Sequence, residues 1–167
     1  ADITVAFRVD LPELFTVTSA EYEAIHSSWA KAIKVLPDYS VIQKQDWFTK
    51  ENYRPATDRE DMSFLSRSFE RHFNERPYLN HTCFLYLTKT TKERMRMQSN
   101  FSSLCRGNII PKEVNKDTAV KFLEAVGQFE RIVNDSGFVR LTRLTSDEIT
   151  GTPESAGLIE KYFALSL

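Results

Sequence analysis

The sequence predicts an α+β fold built on a four-stranded antiparallel sheet. Two observations carry this prediction: apolar residues recur with the period of a strand in some segments and of a helix in others, and the two patterns alternate along the chain. The composition agrees, because 167 residues with 41% hydrophobic and 27% charged residues are typical of one globular domain. We therefore expect one apolar core shared by the sheet and the helices.

A strand and then a helix are predicted at the start of the chain. Residues 2–9 alternate between polar and apolar side chains, as a half-buried strand does. Thr18 followed by Glu21 is the pattern of a capping box, and apolar residues then recur at helical spacing until Pro37. The apolar positions of this predicted helix are Tyr22, Ile25, Trp29, Ile33 and Leu36.

The next segment predicts a second strand and an inserted helix. Residues 39–48 contain β-forming residues but few apolar side chains for a core, which indicates a strand near an edge of the sheet. Residues 49–61 are polar and predict a loop. A short helix limited by Pro77 follows, with apolar residues at Phe64, Leu65, Phe69 and Phe73.

The second half of the chain predicts two more strands and a long helix. Residues 81–88 are dense in β-forming residues on both faces, which predicts a central strand, and residues 138–144 predict the fourth strand. Residues 90–111 predict a long connection, with a helical turn at 92–98 as an alternative. The helix between them is capped by Asp117 or Asn115 and ended by Gly137. Its apolar face contains Ala119, Phe122, Leu123, Val126, Phe129, Ile132 and Val133.

The order of elements is strand, helix, strand, inserted helix, strand, helix, strand. With the inserted helix and loop set aside, this is the split β-α-β arrangement of ferredoxin-like folds, with a four-stranded antiparallel sheet and helices on one face. We expect residues 1–157 to form this amino-terminal domain and residues 158–167 to start a connection to a further domain. The first strand has no lead-in and the last apolar segment has no cap, which favours this division.

The residues that could carry catalysis or bind a metal are scattered. The segment from Gly151 to Gly157 lacks the lysine of a phosphate-binding loop, so a turn or linker is the better interpretation. His81 and Cys83 share a strand face, but zinc needs about four ligands and no second close pair exists. The distant Cys105 forms no CxxC pair, which favours a reducing compartment. We therefore predict no catalytic residue, no cofactor and no metal site, with Cys83 in the core.

One segment of the chain combines positive charge with flexible apolar residues. Its basic residues are the candidate partner-binding residues, and Met95, Met97 and Phe101 lie among them. Such a surface suits an acidic partner, a lipid headgroup layer or nucleic acid, whereas a solvated loop is an equal alternative. The overall net charge of −1 argues against an obligate nucleic-acid binder. The candidate residues are Lys89, Lys92, Arg94, Arg96 and Arg106.

Several runs of the sequence together resemble a known family. They are residues 73–82 (FNERPYLNHT), 87–94 (LTKTTKER), 122–126 (FLEAV), 129–137 (FERIVNDSG) and 159–163 (IEKYF). In these runs the chain resembles the TraG-type ATPases of conjugative transposons. In that family an amino-terminal domain precedes a RecA-like motor domain with Walker motifs, and the ATPase energises a type IV secretion channel from the cytoplasmic side of the inner membrane.

The resemblance implies a non-catalytic assembly and docking domain. Its partners would be channel subunits and the rest of its own ATPase chain, its membrane contact only indirect, and the full-length protein could be an oligomer. No Walker residue is carried over, because these residues contain none. Two alternatives come from other classes: a ferredoxin-like nucleic-acid-binding domain, in which Phe84 and Tyr86 could stack on bases, and a small independent hydrolase. Stable nucleic-acid binding is not expected.

Overall fold

The computed structural model describes residues 2–53, 63–90 and 116–165. These residues form an α+β domain with one four-stranded antiparallel sheet in the order β2-β3-β1-β4. The strands are β1 (Ile3–Asp10), β2 (Ser40–Asn52), β3 (Pro77–Lys89) and β4 (Arg140–Arg143). The helices are α1 (Ser19–Val35), α2 (Phe64–Asn74), α3 (Lys116–Asp135), α4 (Ser146–Thr150) and α5 (Leu158–Leu165), with a 3₁₀ turn at Leu14–Thr16.

The predicted ferredoxin-like arrangement is confirmed. β1 and β3 are the central strands, β2 and β4 are the edges, and α1 and α3 are the two crossover helices of the split repeat. The strand β3 is central, as its apolar residues on both faces predict, and β2 is at an edge. Helix α2 is the insertion between the two strands of the β2–β3 pair.

The core lies between one face of the sheet and the helices α1 and α3. Alternate residues of the central strands point into it, and α3 contributes a face spaced at three and four residues. Trp29 of α1 packs partly buried against this core. The fully or nearly fully buried members include Val5, Phe7, Cys83, Leu85, Leu87, Phe122, Val126, Phe129 and Val133.

The capping signals in the sequence place the start of α1 correctly. The Thr18 side chain accepts a hydrogen bond from the Glu21 N–H, and the Glu21 carboxylate accepts one from the Thr18 N–H. The hydrogen bonds that the Glu21 carboxylate accepts from the Thr18 N–H and the Thr18 hydroxyl lower the pKa of Glu21. Helix α1 ends at Val35, two residues before Pro37, where a proline ring would clash with the preceding turn.

The predicted bounds of three strands are wrong, each for a physical reason. The second strand continues to Asn52 and the third begins at Pro77, because their polar ends pair with each other beyond the core. The fourth strand is limited to Arg140–Arg143, since only these residues and their neighbour Leu144 bond to β1. Asp117 is not the cap of α3, because it lies inside the first turn, where a carboxylate is still favoured by the helix dipole. Asn115 lies outside the described residues.

The second face of the sheet is covered in part by the C-terminal helix α5. Trp47, Phe84 and Tyr86 are on this face, because they alternate with the residues that point into the core. Tyr162 of α5 lies over Trp47 with ring centroids 6.2 Å apart, and Leu158 is buried. Whether residues 158–167 also lead into a connection stays a prediction.

Candidate docking surface

Helix α2 is built by local signals. Ser63 is its N-cap and accepts a hydrogen bond from the Ser66 N–H at 3.2 Å. Arg71 and Glu75, four residues apart, form an ion pair at 2.7 Å near its C-terminal end. The helix ends at Asn74, shortly before Pro77 begins β3. These signals explain a helix here without any contribution from the core.

The apolar residues of α2 are exposed. Leu65, Phe69 and Phe73 recur every four residues and so form one stripe along the helix, which we call the α2 stripe. Leu65 is 80% exposed and Phe69 64%, and Phe64 at the start of the helix is 84% exposed. The rings of Phe69 and Phe73 contact each other, with their centroids 4.6 Å apart. Contiguous exposed apolar side chains of this kind mark interaction sites more often than isolated ones do.

The outer part of the β2–β3 pair also exposes apolar side chains. Phe48, Tyr78 and Leu79 are exposed there, and Phe48 stacks on the His81 ring with centroids 4.7 Å apart. The Glu51 carboxylate accepts hydrogen bonds from the amide of Asn80 at 2.9 Å and from the Tyr78 hydroxyl at 3.4 Å. This outer part, residues 48–52 paired with residues 77–81, is called the arm, and it is held by cross-strand pairs of side chains rather than by a core.

Four ionisable side chains meet where this arm joins the core. The Asp46 carboxylate bonds to the Lys44 ammonium and, at 2.8 Å, to His81 Nε2. The Lys44 bond, followed by the His81 bond, lowers the pKa of Asp46 to about 2. Burial raises the pKa of the neighbouring Cys83 thiol to about 11. A thiol of this kind is an inert core group, as the sequence predicts for Cys83.

The basic residues predicted to bind a partner are seen only in part. Lys89 lies at the end of β3, where its ammonium donates to the Asp38 carbonyl and sits 5.4 Å from the centre of the Tyr39 ring. It is therefore tied to the turn before β2. Lys92, Arg94, Arg96 and Arg106 lie outside the described residues, so their assignment stays a prediction.

A cleft of about 700 Å³ separates the second face of the sheet from the α4–α5 segment. Trp47 and Phe84 form its apolar floor, and Arg8, Glu51 and Lys161 are among the charged residues around it. Phe84 is only 7% exposed and packs edge to face on Trp47 at 4.8 Å. The Tyr86 hydroxyl donates to Gln45 at 3.0 Å. Phe84 and Tyr86 therefore do not present the bare aromatic face that base stacking requires.

The glycine segment at 151–157 forms a turn, as predicted. Thr152 and Ser155 exchange backbone hydrogen bonds at 2.9 and 3.1 Å, and Gly151 has a φ of 89°. Within the described ranges, no group of three or more His, Cys, Asp or Glu residues could hold a metal ion. The helices among those residues include none that is long and apolar enough to cross a membrane.

The α2 stripe is the surface that the sequence alone missed. Its spacing is visible in the sequence, but the same spacing is equally typical of a helix that packs on the core. What marks the stripe as a surface is its exposure, which depends on where the rest of the chain lies.

Comparison with known proteins gives a short match. Residues 1–27, which contain β1 and the first half of α1, match the model of a family described as "Domain of unknown function, B. Theta Gene description (DUF3875)". No curated protein matches the chain. No solved structure matches it either.

Proposed function

We propose that this chain is a non-catalytic assembly and docking domain of a TraG-type conjugation ATPase. In this proposal it contacts subunits of a type IV secretion channel at the cytoplasmic face of the bacterial inner membrane during DNA transfer. The observation that carries the docking role is the exposed α2 stripe. The identity of the ATPase and of its channel rests on the segments of the sequence that resemble TraG-type ATPases.

The stripe supports docking because α2 gains little from the fold around it. The helix has only 11 residues, and isolated helices shorter than about 12–15 residues are marginal in water. Leu65, Phe69 and Phe73 leave their apolar face exposed where burial would stabilise it. A partner with an apolar groove would bury this face and stabilise the helix at the same time, which is the usual way that amphipathic helices bind.

The position of the stripe agrees with the resemblance. The longest resembling run, residues 73–82, begins with Phe73 of the stripe and continues into the outer part of β3. Tyr78 and Leu79 in that run are exposed as well. The residues that resemble the family thus include surface residues that the ferredoxin-like core does not require.

The nucleic-acid alternative receives less support. It depends on Phe84 and Tyr86 being open for stacking, and Phe84 is buried under Trp47. The net charge of −1 also provides no general attraction for phosphates.

Capture of channel subunits tests the proposal. The tagged domain is produced in donor cells that carry the conjugation channel, and bound proteins are identified by mass spectrometry. Phe64→Ser combined with Phe69→Ser should reduce capture of channel subunits about tenfold, which corresponds to about 1.4 kcal/mol of binding energy. The matched control is Phe15→Ser with Phe163→Ser, because Phe15 (85%) and Phe163 (65%) are as exposed as Phe64 (84%) and Phe69 (64%).

Equal capture by both double variants would contradict docking through α2. Failure of the parent domain to capture any channel subunit would contradict the proposed function itself.

The basic segment is tested separately, with Arg94→Glu and Arg96→Glu in one variant. We expect weaker capture with unchanged folding, because reversing surface charges mainly affects association.

A further inference from the structure

The two edge strands of the sheet, β2 and β4, differ in length. β4 has four residues, two of them arginines, whereas β2 has 13 residues. In the part of the chain that the structure describes, no strand pairs with the outer edge of β2. A long edge strand presents a row of backbone N–H and C=O groups that another strand can pair with.

The side chains of β2 are complementary to themselves around Gln45. Two β2 strands can pair antiparallel so that the Gln45 residues of the two copies lie opposite each other. A residue that lies a given number of positions before Gln45 then faces the partner residue that lies the same number of positions after Gln45. Lys44 then faces the partner's Asp46, and Ile42 faces the partner's Phe48. Val41 faces the partner's Thr49 on the other face of the sheet. Opposite charges and apolar pairs across strands are both stabilising.

We propose that β2 pairs with β2 of a second copy of this chain, antiparallel and centred on Gln45. The two four-stranded sheets then become one continuous sheet. A two-fold axis perpendicular to the sheet relates the copies, so the same surface is used twice and the assembly closes as a dimer. The axis also keeps the α1 and α3 helices of both copies on the same side of the sheet.

Four other registers are less favourable. A centre at Lys44 or at Asp46 places two like charges directly opposite each other, and a centre at Trp47 places Lys44 opposite the partner's Lys50. Like charges at such positions are destabilising. A centre at Phe48 places Asp46 opposite the partner's Lys50, but it shifts Ile42 beyond the end of the partner's β2, which ends at Asn52.

The Lys44 and Asp46 side chains are accessible for ion pairs with the second copy. They are bonded to each other within one chain, with about half of the Lys44 side chain exposed (52%) and 30% of the Asp46 side chain. Asp46 Oδ1 is bonded to His81 and Oδ2 to Lys44. In the dimer the partner's Lys44 replaces or joins the Lys44 of the same chain at Oδ2, while the His81 bond stays in place.

Analytical ultracentrifugation of the 167-residue chain, over a concentration series at low salt, tests this pairing. We expect a monomer–dimer equilibrium. Lys44→Asp places an aspartate against the partner's Asp46, and Asp46→Lys places a lysine against the partner's Lys44. Each variant alone should raise the dimer dissociation constant at least about tenfold, because two unlike pairs become two like pairs. Lys121→Asp changes the net charge as Lys44→Asp does, on the exposed surface of α3, and should leave dimerisation unchanged.

Mixing the two weakened variants is the decisive step. One variant carries aspartate at both positions of the pair and the other carries lysine at both, so they are complementary only across the interface. The mixture should therefore form a heterodimer about as tightly as the parent forms its dimer. Hydrogen exchange of the β2 amides should slow as the parent concentration rises, since pairing protects them.

Three outcomes would overturn the proposal. They are a parent chain that stays monomeric up to about 1 mM, which corresponds to a binding energy weaker than about 4 kcal/mol, a dimer that Lys44→Asp does not weaken, and a mixture that does not recover. None of them bears on the docking role of α2, because the stripe and the β2 edge are tested by different variants.

Discussion

Trp29 meets Phe129 edge to face, with the ring centroids 5.7 Å apart and the ring planes at 68°. Trp29 belongs to α1 and Phe129 to α3, so this contact joins the two crossover helices above the sheet. Edge-to-face pairs of this geometry are favourable beyond the area that they bury. Phe129 is fully buried in the core.

Phe129→Ala should lower the free energy of unfolding by about 3–5 kcal/mol, because it removes a buried ring and leaves a cavity beside Trp29. Urea denaturation followed by circular dichroism measures the change. Leu123→Ala is the control on the same helix, since Leu123 is 44% exposed although its spacing predicts it on the apolar face. We expect the control to change stability by less than about 1 kcal/mol. A similarly small loss for Phe129→Ala would mean that this ring is not part of the core.

Gly157→Ala should destabilise the attachment of α5 by about 1–3 kcal/mol. An added Cβ would lie 2.2 Å from the backbone nitrogen of Gly151 and 2.7 Å from the carbonyl oxygen of Ile149, and backbone atoms cannot move aside easily. Thermal unfolding and limited proteolysis after residue 157 provide the measurements. Gly127→Ala is the matched control, because nothing lies within 4 Å of its added Cβ and alanine favours a helix by about 0.5–1 kcal/mol. Equal effects in the two variants would contradict the close contact.

Asp46 should contribute stability that depends on pH in the acid range. Its pKa in the folded chain is about 2, below the ordinary value of 3.8, so the unfolded chain binds the proton more readily. The contribution is therefore fully present above about pH 4 and is lost as the pH falls towards 2. Unfolding of the parent and of Asp46→Asn, measured from pH 7 to pH 2, should differ most at neutral pH and converge at the acid end. A difference that stays constant over this range would contradict the lowered pKa.

The Cys83 thiol should react slowly with iodoacetamide in the folded chain. Its pKa of about 11 leaves little thiolate at pH 8, whereas an exposed cysteine has a pKa near 8.5. We expect a rate about two orders of magnitude below that of the urea-unfolded chain. The experiment uses a Cys105→Ser background, so that Cys83 is the remaining thiol. Similar rates in both states would show that the thiol is accessible.

The fold follows from the sequence to a large extent because its signals are local. The capping box at Thr18, the glycine after α3 and the alternation in β1 each involve residues a few positions apart, and the structure has the corresponding elements. The ends of β2 and β3 could not be predicted in the same way. Their polar outer residues are held in strands by pairing such as Glu51 with Tyr78, which joins residues 27 apart in the chain.

The candidate site was predicted less well. The basic residues from Lys89 to Arg106 stand out in the sequence by charge, but only Lys89 lies among the described residues. The α2 stripe was visible as a periodic pattern without any indication of its exposure. Likewise, the sequence indicates that β2 is an edge strand, because it has few apolar side chains for a core. Only the strand order shows that one side of β2 pairs with β3 and that no described strand pairs with its other side.

The sequence by itself determined the types and order of the elements, the caps and turns that bound several of them, and the apolar face of α3. Those properties depend on neighbouring residues, whose preferences act wherever the segment lies. The tertiary structure decided which apolar faces are buried, since burial depends on contacts between distant parts of the chain. Leu87 and Phe69 illustrate the difference: both lie on periodic apolar faces, yet Leu87 has α1 and α3 above it in the core, whereas Phe69 lies on an inserted helix beyond that core and remains 64% exposed.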